Sequence, residues 1–176
     1  TVPGKNTIGI EIPNEKREHV QETIDYIREL GADWYAIFVA TPLVGTEMFE
    51  QFVNQGVLNH DSRDWETNYN GRHFDTPDFA AEEILEITYR TNIEMNFVKN
   101  RQMLLGDWKL ALSVFDDVLN LHPYHIFAQY NCMVCLQKLN RHDEANERLK
   151  KIKYLIANVD TSAKMVKKYG YMLPKL

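Results

Sequence analysis

The chain has 176 residues, a formal net charge of −5 and 44% hydrophobic residues. This length suits one domain or two small ones with a real core. The acidic balance argues against general binding to nucleic acid or anionic membranes, and no apolar run approaches the roughly 20 residues of a membrane span. The two cysteines predict a reducing, cytoplasmic location. A start at Thr1 without a signal-peptide pattern leads us to expect a fragment of a longer protein.

The first predicted unit is strand–helix–strand. Residues 7–12 (TIGIEI) alternate as a half-buried strand does, and residues 16–30 repeat apolar side chains at helical spacing. Asn14 is the predicted N-cap of this helix, and Gly31 is placed for a left-handed C-terminal cap. Residues 34–40 (WYAIFVA) are almost continuously apolar, which is typical of a parallel strand covered on both faces. The connection of two parallel strands by a helix predicts a right-handed crossover.

A turn and a second helix follow this strand. The turn is predicted between Pro42 and Gly45. Thr46 is the predicted N-cap of a helix that begins at Glu47 and ends near Gly56.

The polar stretch from residue 59 to residue 76 allows two interpretations. His60, Asp61, His73 and Asp75 carry metal-ligand side chains, but their spacing matches no familiar ligand pattern. The interpretation that we favour is a surface loop anchored by aromatic residues. A helix is then predicted to start with Thr76 as N-cap, and helical character continues to about residue 105 with a break near residues 91–92.

Several of these segments carry a family resemblance. IPNEKREHVQETIDYIRELGAD, followed by TPLVGTEMFE, resembles the last part of the catalytic barrel in radical S-adenosylmethionine enzymes, and the likeness extends through HFDTPDF. Glu11 stands where that family usually has glycine, and Val44 replaces the second proline of its turn. The cysteine triplet C-x-x-x-C-x-x-C, which holds the family's iron–sulfur cluster, does not occur in this sequence.

The resemblance implies a fold and a set of cofactors. The fold is α/β followed by all-α: a partial parallel β/α barrel over residues 1–75, with a trailing loop, and a helical domain over residues 76–176. S-adenosylmethionine and a [4Fe–4S] cluster are implied for the full-length parent, whereas this chain alone is expected to bind neither and to lack catalytic activity. The residues expected to line the adenine pocket lie at the ends of the two strands: Ile12, Pro13, Asn14, Glu15, Val39, Ala40, Thr41 and Pro42.

An internal repeat occupies the second half. Gly106, Trp108, Ala111, Phe115 and Val118 recur 34 residues later as Asn140, His142, Ala145, Leu149 and Ile152. This period, with small residues at helix contacts, is the tetratricopeptide signature. GDWKLALSVFDDVLNLHP resembles the second helix of that repeat family closely, and NRHDEANERLKKI resembles it less so. Stacked helical hairpins of this kind form a concave surface.

The repeat predicts a protein-binding groove. Its lining would mix polar and aromatic side chains, as suits peptide or domain docking: Asn96, Asn100, Met103, Phe127, Tyr130, Val134, Gln137 and Lys138. The predicted occupant is a partner protein or the protein's own upstream barrel. The alternative is that this groove packs on the barrel or on the C-terminal tail. The tail, residues 161–176, is predicted to form a capping helix. Cys132 and Cys135 are interpreted as small buried residues rather than a redox or zinc pair.

Two other functions remain as alternatives. The chain could act as a non-catalytic tetratricopeptide-type binding module. More distantly, residues 1–14 (TVPGKNTIGIEIPN) resemble a short segment of septal DNA translocases. A motor of that kind needs a phosphate-binding loop, and Gly4-Lys5 lacks both the upstream glycine and the following Ser or Thr.

Overall fold

The computed structural model describes residues 5–10, 13–60 and 74–173. The chain forms two compact units, residues 1–92 (unit 1) and 93–176 (unit 2). The predicted boundary between residues 75 and 76 lies before the boundary between the two units, because the helix that follows residue 76 groups with unit 1. The architecture is α/β in unit 1 and all-α in unit 2, which agrees with the predicted fold class at this level.

Unit 1 contains a two-stranded parallel sheet. Strand β1 (Lys5–Ile10) pairs with β2 (Trp34–Val39), and helix α1 (Arg17–Leu30) connects them. The register runs from Lys5 opposite Trp34 to Ile10 opposite Val39. The predicted parallel strand–helix–strand unit is therefore confirmed. Helices α2 (Glu47–Asn54) and α3 (Ala81–Ile93) follow.

The caps of unit 1 agree with the sequence in part. Gly31 adopts the left-handed conformation after α1 (φ 64°), and the Thr46 hydroxyl accepts a hydrogen bond from the N–H of Phe49, as predicted. Asn14, however, does not cap α1, since Lys16 is the residue before its first turn. Asn14 instead has a φ of 67° and turns the chain after β1.

Helix α3 begins later than predicted. Thr76 and Phe79 close a tight turn on each other: the N–H of Thr76 donates to the carbonyl oxygen of Phe79 at 2.9 Å, and the N–H of Phe79 donates to the Thr76 hydroxyl at 3.2 Å. The first turn of α3 is then capped by Asp75, whose Oδ1 accepts from the N–H of Ala81 at 2.7 Å. The predicted N-cap at Thr76 is therefore wrong, because its hydroxyl serves the turn before the helix.

One face of the sheet is buried, and the other is partly exposed. Tyr35 and Ile37 of β2 are buried, and so is Ile10 of β1. Phe38 points to the opposite face and is 55% exposed. The expectation that β2 is covered on both faces therefore fails at Phe38, whereas Trp34 and Ala36 on the same face are half-buried.

Unit 2 consists of helices, and from residue 101 onward each packs on the next. It opens with a π-helical turn (Glu94–Val98), and the chain is broken at Lys99 and Asn100 rather than near residues 91–92. The helices that follow are α4 (Arg101–Leu104), α5 (Trp108–Leu121), α6 (Ile126–Lys138), α7 (His142–Asn158) and α8 (Asp160–Tyr169), with a final 3₁₀ turn (Gly170–Met172). Helix α6 packs against both α5 and α7 and contributes more buried residues than any other helix of unit 2.

Candidate functional site

The carboxyl ends of both strands meet at one edge of unit 1. The N–H of Ala40, directly after β2, donates to the carbonyl oxygen of Ile10 at 2.8 Å. Val39, Ala40 and Thr41 are half-buried and Pro42 is buried. In parallel α/β folds ligands bind at this end of the strands.

The loop after β1 reaches the same edge. Asn14 is exposed, and its Oδ1 accepts a hydrogen bond from Gln55 Nε2 at 3.0 Å, which ties this loop to the end of α2. Pro13 and Glu15 on either side are half-buried. Seven of the eight predicted cofactor-binding residues therefore lie at the strand ends, and the eighth, Ile12, lies outside the described residues.

An iron–sulfur cluster does not fit the residues of this chain. Such a cluster is held by cysteine thiolates, and the sequence contains two cysteines, both fully buried in α6. Within residues 5–10, 13–60 and 74–173, no three His, Cys, Asp or Glu side chains are grouped as metal ligands. The alternative of a metal in the polar loop is partly untested, because Asp61 and His73 lie outside these ranges.

Burial suppresses the chemistry of the two thiols. It raises the pKa of Cys135 to about 12, and the nearby carboxylate of Asp116 acts in the same direction. The pKa of Cys132 is raised for the same reasons, and its Sγ lies 3.6 Å from Asp116 Oδ1. Both residues are free cysteines. They occupy the core, in agreement with the interpretation made from the sequence.

Unit 2 repeats its local geometry every 34 residues. Gly106 (φ 74°) and Asn140 (φ 58°) occupy equivalent left-handed positions after α4 and α6. The N–H of each donates to the carbonyl three residues earlier at 3.1 Å, and the next N–H donates to the carbonyl five residues earlier at 2.9 Å, in both copies. The starts of α5 and α7, and those of α6 and α8, have the same separation. Asn131 also bonds the residue 34 positions before it: its Nδ2 donates to the carbonyl oxygen of Phe97 at 2.8 Å.

The eight residues of the predicted groove divide by exposure. Four of them are buried: Asn96, Asn100, Phe127 and Tyr130. Met103 and Val134 are half-buried, and Gln137 and Lys138 are exposed. Met103, Val134, Gln137 and Lys138 are therefore accessible to a partner at least in part, and the buried four are not. Their role in protein binding stays a prediction.

Asn100 and Lys138 have structural roles within the chain. The Oδ1 of Asn100 caps α4 by accepting from the N–H of Met103 at 3.1 Å. Lys138 Nζ lies 5.7 Å from the centroid of the Trp108 ring, a cation–π distance.

A polar network that the sequence did not indicate joins α5, α6 and α7. Arg148 donates to Asp116 Oδ1 at 2.8 Å and to Gln129 Oε1 at 3.0 Å. The fully buried Gln129 in turn donates to the carbonyl oxygen of Pro123 at 2.9 Å. An adjoining cleft of about 890 Å³ is lined by four acidic and four basic side chains, so its charge selects neither anions nor cations. Asp116, Gln129 and Arg148 are not separated from one another by 34 residues. The internal repeat, which is the pattern that the sequence shows in this unit, therefore does not predict this network.

His125 was also missed. It is the N-cap of α6, where its Nδ1 accepts from the N–H of Ala128 at 3.3 Å, and its ring stacks on Phe97 with centroids 4.5 Å apart. Burial lowers the pKa of His125 to about 4, and the neighbouring His122 contributes in the same direction. The imidazole is therefore neutral at physiological pH.

Comparison with known proteins gives one partial similarity. Over 88 residues the chain is 27% identical to the cytidylyl-2-hydroxyethylphosphonate methyltransferase of Streptomyces wedmorensis, a match that covers 49% of this chain and 16% of the methyltransferase. The matched part thus spans about a sixth of that relative. No family model and no solved structure matches the chain. In the part of the chain that the structure describes, no helix has the length and apolarity to cross a membrane. The similarity to a methyltransferase is compatible with a fragment of a radical S-adenosylmethionine enzyme.

Proposed function

We propose that this chain is the C-terminal part of a radical S-adenosylmethionine enzyme whose helical repeats bind protein. The observation that carries the first half is the parallel strand–helix–strand unit, with the loops after both strands at one edge. The partial similarity to a methyltransferase supports it, since a methyl-transfer enzyme needs a methyl donor and S-adenosylmethionine is the general one. In this proposal the parent cleaves S-adenosylmethionine reductively at a cluster held by residues outside this chain.

This chain's own contribution is to bind the adenine. Half-buried backbone at Thr41 offers an amide and a carbonyl group to the polar edge of the base. The N–H of Ala40 is bonded to Ile10, so Ala40 would contribute through its side chain, and buried Pro42 would support the loop. Pro13 and Asn14 would contribute from the other loop. The chain supplies no cluster ligand and no redox step.

Binding of S-adenosylmethionine to the full-length parent tests this role. Replacing Ala40 by Trp places a bulky ring at the strand end, and we expect the Kd for S-adenosylmethionine to rise at least about tenfold, the equivalent of losing one good contact. Leu121→Ala, in the other unit and 78% exposed, is the matched control and should leave the Kd unchanged. Equal affinities of the Ala40→Trp variant and the parent would remove the strand ends from the cofactor site.

Iron incorporation tests the assignment of the cluster. After anaerobic reconstitution, the parent should bind about four irons and this chain alone none, because its two thiols are buried and protonated. A parent polypeptide without the cysteine triplet would contradict the enzyme proposal and leave the alternative, a non-catalytic tetratricopeptide-type binding module.

The 34-residue recurrence of hydrogen bonds favours protein binding as a function of unit 2, in either case. Exposed Gln137 and Lys138, with half-buried Met103 and Val134, form the surface that we assign to it. Once a partner is known, Lys138→Glu should weaken its binding and lower the melting temperature only slightly, through loss of the cation–π contact with Trp108. Unchanged binding would place the interface elsewhere.

A further inference from the structure

Charge is divided unequally between the two units. Residues 1–92 contain 17 acidic and 7 basic side chains, whereas residues 93–176 contain 8 acidic and 13 basic ones. The formal net charge is therefore −10 for unit 1 and +5 for unit 2. Surfaces of opposite charge on one chain attract the corresponding surfaces of another copy.

Helix α8 presents a basic row to solvent, which consists of Lys164, Lys167 and Lys168. All three side chains are exposed. The two buried residues of this helix, Ser162 and Tyr169, lie on the opposite face, as the 3.6-residue period requires. The basic row therefore points away from the core of unit 2 and is accessible to a partner.

The lysines of this row are available for new ion pairs. Lys167 makes no ion pair with any residue that the structure describes. Lys164 pairs with Asp160 of its own helix at 2.6 Å, but both side chains are about three-quarters exposed, and exposed pairs of this kind contribute little. Tyr171, directly after the row, is 73% exposed. The end of α8 thus offers positive charge together with an aromatic ring.

Helix α1 presents an acidic row of matching spacing. Four exposed carboxylates follow one another at intervals of three or four residues, opposite the buried face of the helix: Glu18, Glu22, Asp25 and Glu29. These intervals correspond to about 5 Å along a helix, as in the basic row of α8. Asp25 pairs with Arg28, whereas the other three make no ion pair within the described part of the chain. Tyr26, beside the acidic row, is 61% exposed.

We propose that two copies of this chain associate through these rows, the basic row of α8 in each copy binding the acidic row of α1 in the other. Because every copy carries both rows, two such contacts related by two-fold symmetry close a dimer. The exposed rings of Tyr26 and Tyr171 supply apolar area at each contact, and the charges select the partner face. This association goes beyond the proposed function and does not depend on S-adenosylmethionine.

Charge complementarity favours a second copy over other occupants of the basic row. Nucleic acid and anionic membranes carry negative charge, and the net charge of −5 on the whole chain opposes their approach. A second copy instead brings an acidic row whose spacing matches that of the lysines. It also pairs its own basic row in the same assembly, so the excess charge of both units is reduced together.

Sedimentation equilibrium of the 176-residue chain tests this contact. We expect a dimer in about 50 mM NaCl and a Kd at least about tenfold higher in about 500 mM NaCl, because salt screens exposed charges. The acidic-row variant combines Glu18→Lys with Glu22→Lys, and the basic-row variant combines Lys164→Glu with Lys167→Glu. Each should raise the Kd in low salt by at least about tenfold, because like charges then face each other.

Mixing the two variants provides the decisive measurement. The acidic-row variant carries two basic rows and the basic-row variant carries two acidic rows, so together they should form a heterodimer about as tightly as the unmodified chain associates. A misfolded variant would not recover in this way. The matched control for the acidic-row variant combines Asp117→Lys with Glu147→Lys, which are exposed positions outside both rows. It makes the same change in net charge and should leave the Kd unchanged.

Three results would overturn the proposal. A chain that stays monomeric in low salt, with a Kd above about 0.1 mM, would show that the rows do not bind each other. A dimer that neither charge reversal weakens would assign the contact to another surface. A monomeric chain that binds heparin, and loses this binding in the basic-row variant, would assign the row on α8 to a polyanion such as nucleic acid.

Discussion

Acidification should destabilise unit 2 through His125. The residue caps α6 with its unprotonated Nδ1, and its ring is stacked 4.5 Å from Phe97. Protonation would remove the acceptor for the N–H of Ala128 and place a positive charge at the positive end of the helix. Burial accordingly lowers the pKa of His125 to about 4, from the usual value of about 6.5 for a histidine in water.

The sign and size follow from proton linkage. The folded pKa lies below the unfolded one, so the native state binds fewer protons and the stabilisation is complete only above about pH 6.5. It is lost as the pH falls from 6.5 towards 4. The full difference corresponds to about 3 kcal/mol, and about 2 kcal/mol of it is lost by pH 5. For a unit of the size of residues 93–176, that loss lowers the melting temperature by roughly 8–16 °C.

Urea unfolding between pH 5 and pH 8 measures this loss. Trp108 reports on unit 2 alone once Trp34 and Trp65 are replaced by Phe, which keeps the two units apart in the readout. The control is His125→Asn, because Asn is a good N-cap and does not titrate in this range. Subtracting its pH profile cancels the contributions of all other groups. Equal pH dependence in both proteins would refute the assigned role of His125.

The other predictions concern the core of unit 2. Phe115 is fully buried, and its ring centroid lies 5.9 Å from that of Phe97. In urea titrations Phe115→Ala should therefore lower the free energy of unfolding by about 3–5 kcal/mol. The control Leu121→Ala, at a 78% exposed position, should lower it by well under 1 kcal/mol. Ala111→Leu should overpack a fully buried position at a cost of about 1–3 kcal/mol, and an unchanged melting curve would contradict the proposed repeat contact. At pH 8 the thiols of Cys132 and Cys135 should not react with Ellman's reagent in the native protein, because burial raises both pKa values. Both thiols should react in urea. Fast labelling of the folded chain would mean that α6 opens.

Local signals in the sequence were sufficient for much of the architecture. Alternation over β1 and the apolar run of β2 predicted two strands, and the 3.6-residue spacing between them predicted α1. Gly31 and Thr46 identified one helix end and one helix start, because left-handed backbone and a capping hydroxyl depend on neighbouring residues alone. The 34-residue repeat predicted that helix starts in unit 2 recur at this spacing, because a helix start also depends on neighbouring residues.

The tertiary structure decided which side chains are accessible and which are paired. Phe127 and Tyr130 read as groove residues from helical spacing, yet both are buried. The bonds from Asn92 to Ile37 and the stacking of His125 on Phe97 join residues from different elements, so their energies depend on packing that a local pattern does not contain. Periodicity fixes the face of a helix on which a residue lies. What that face meets is determined by the fold, and this decides the burial and the pKa of each side chain.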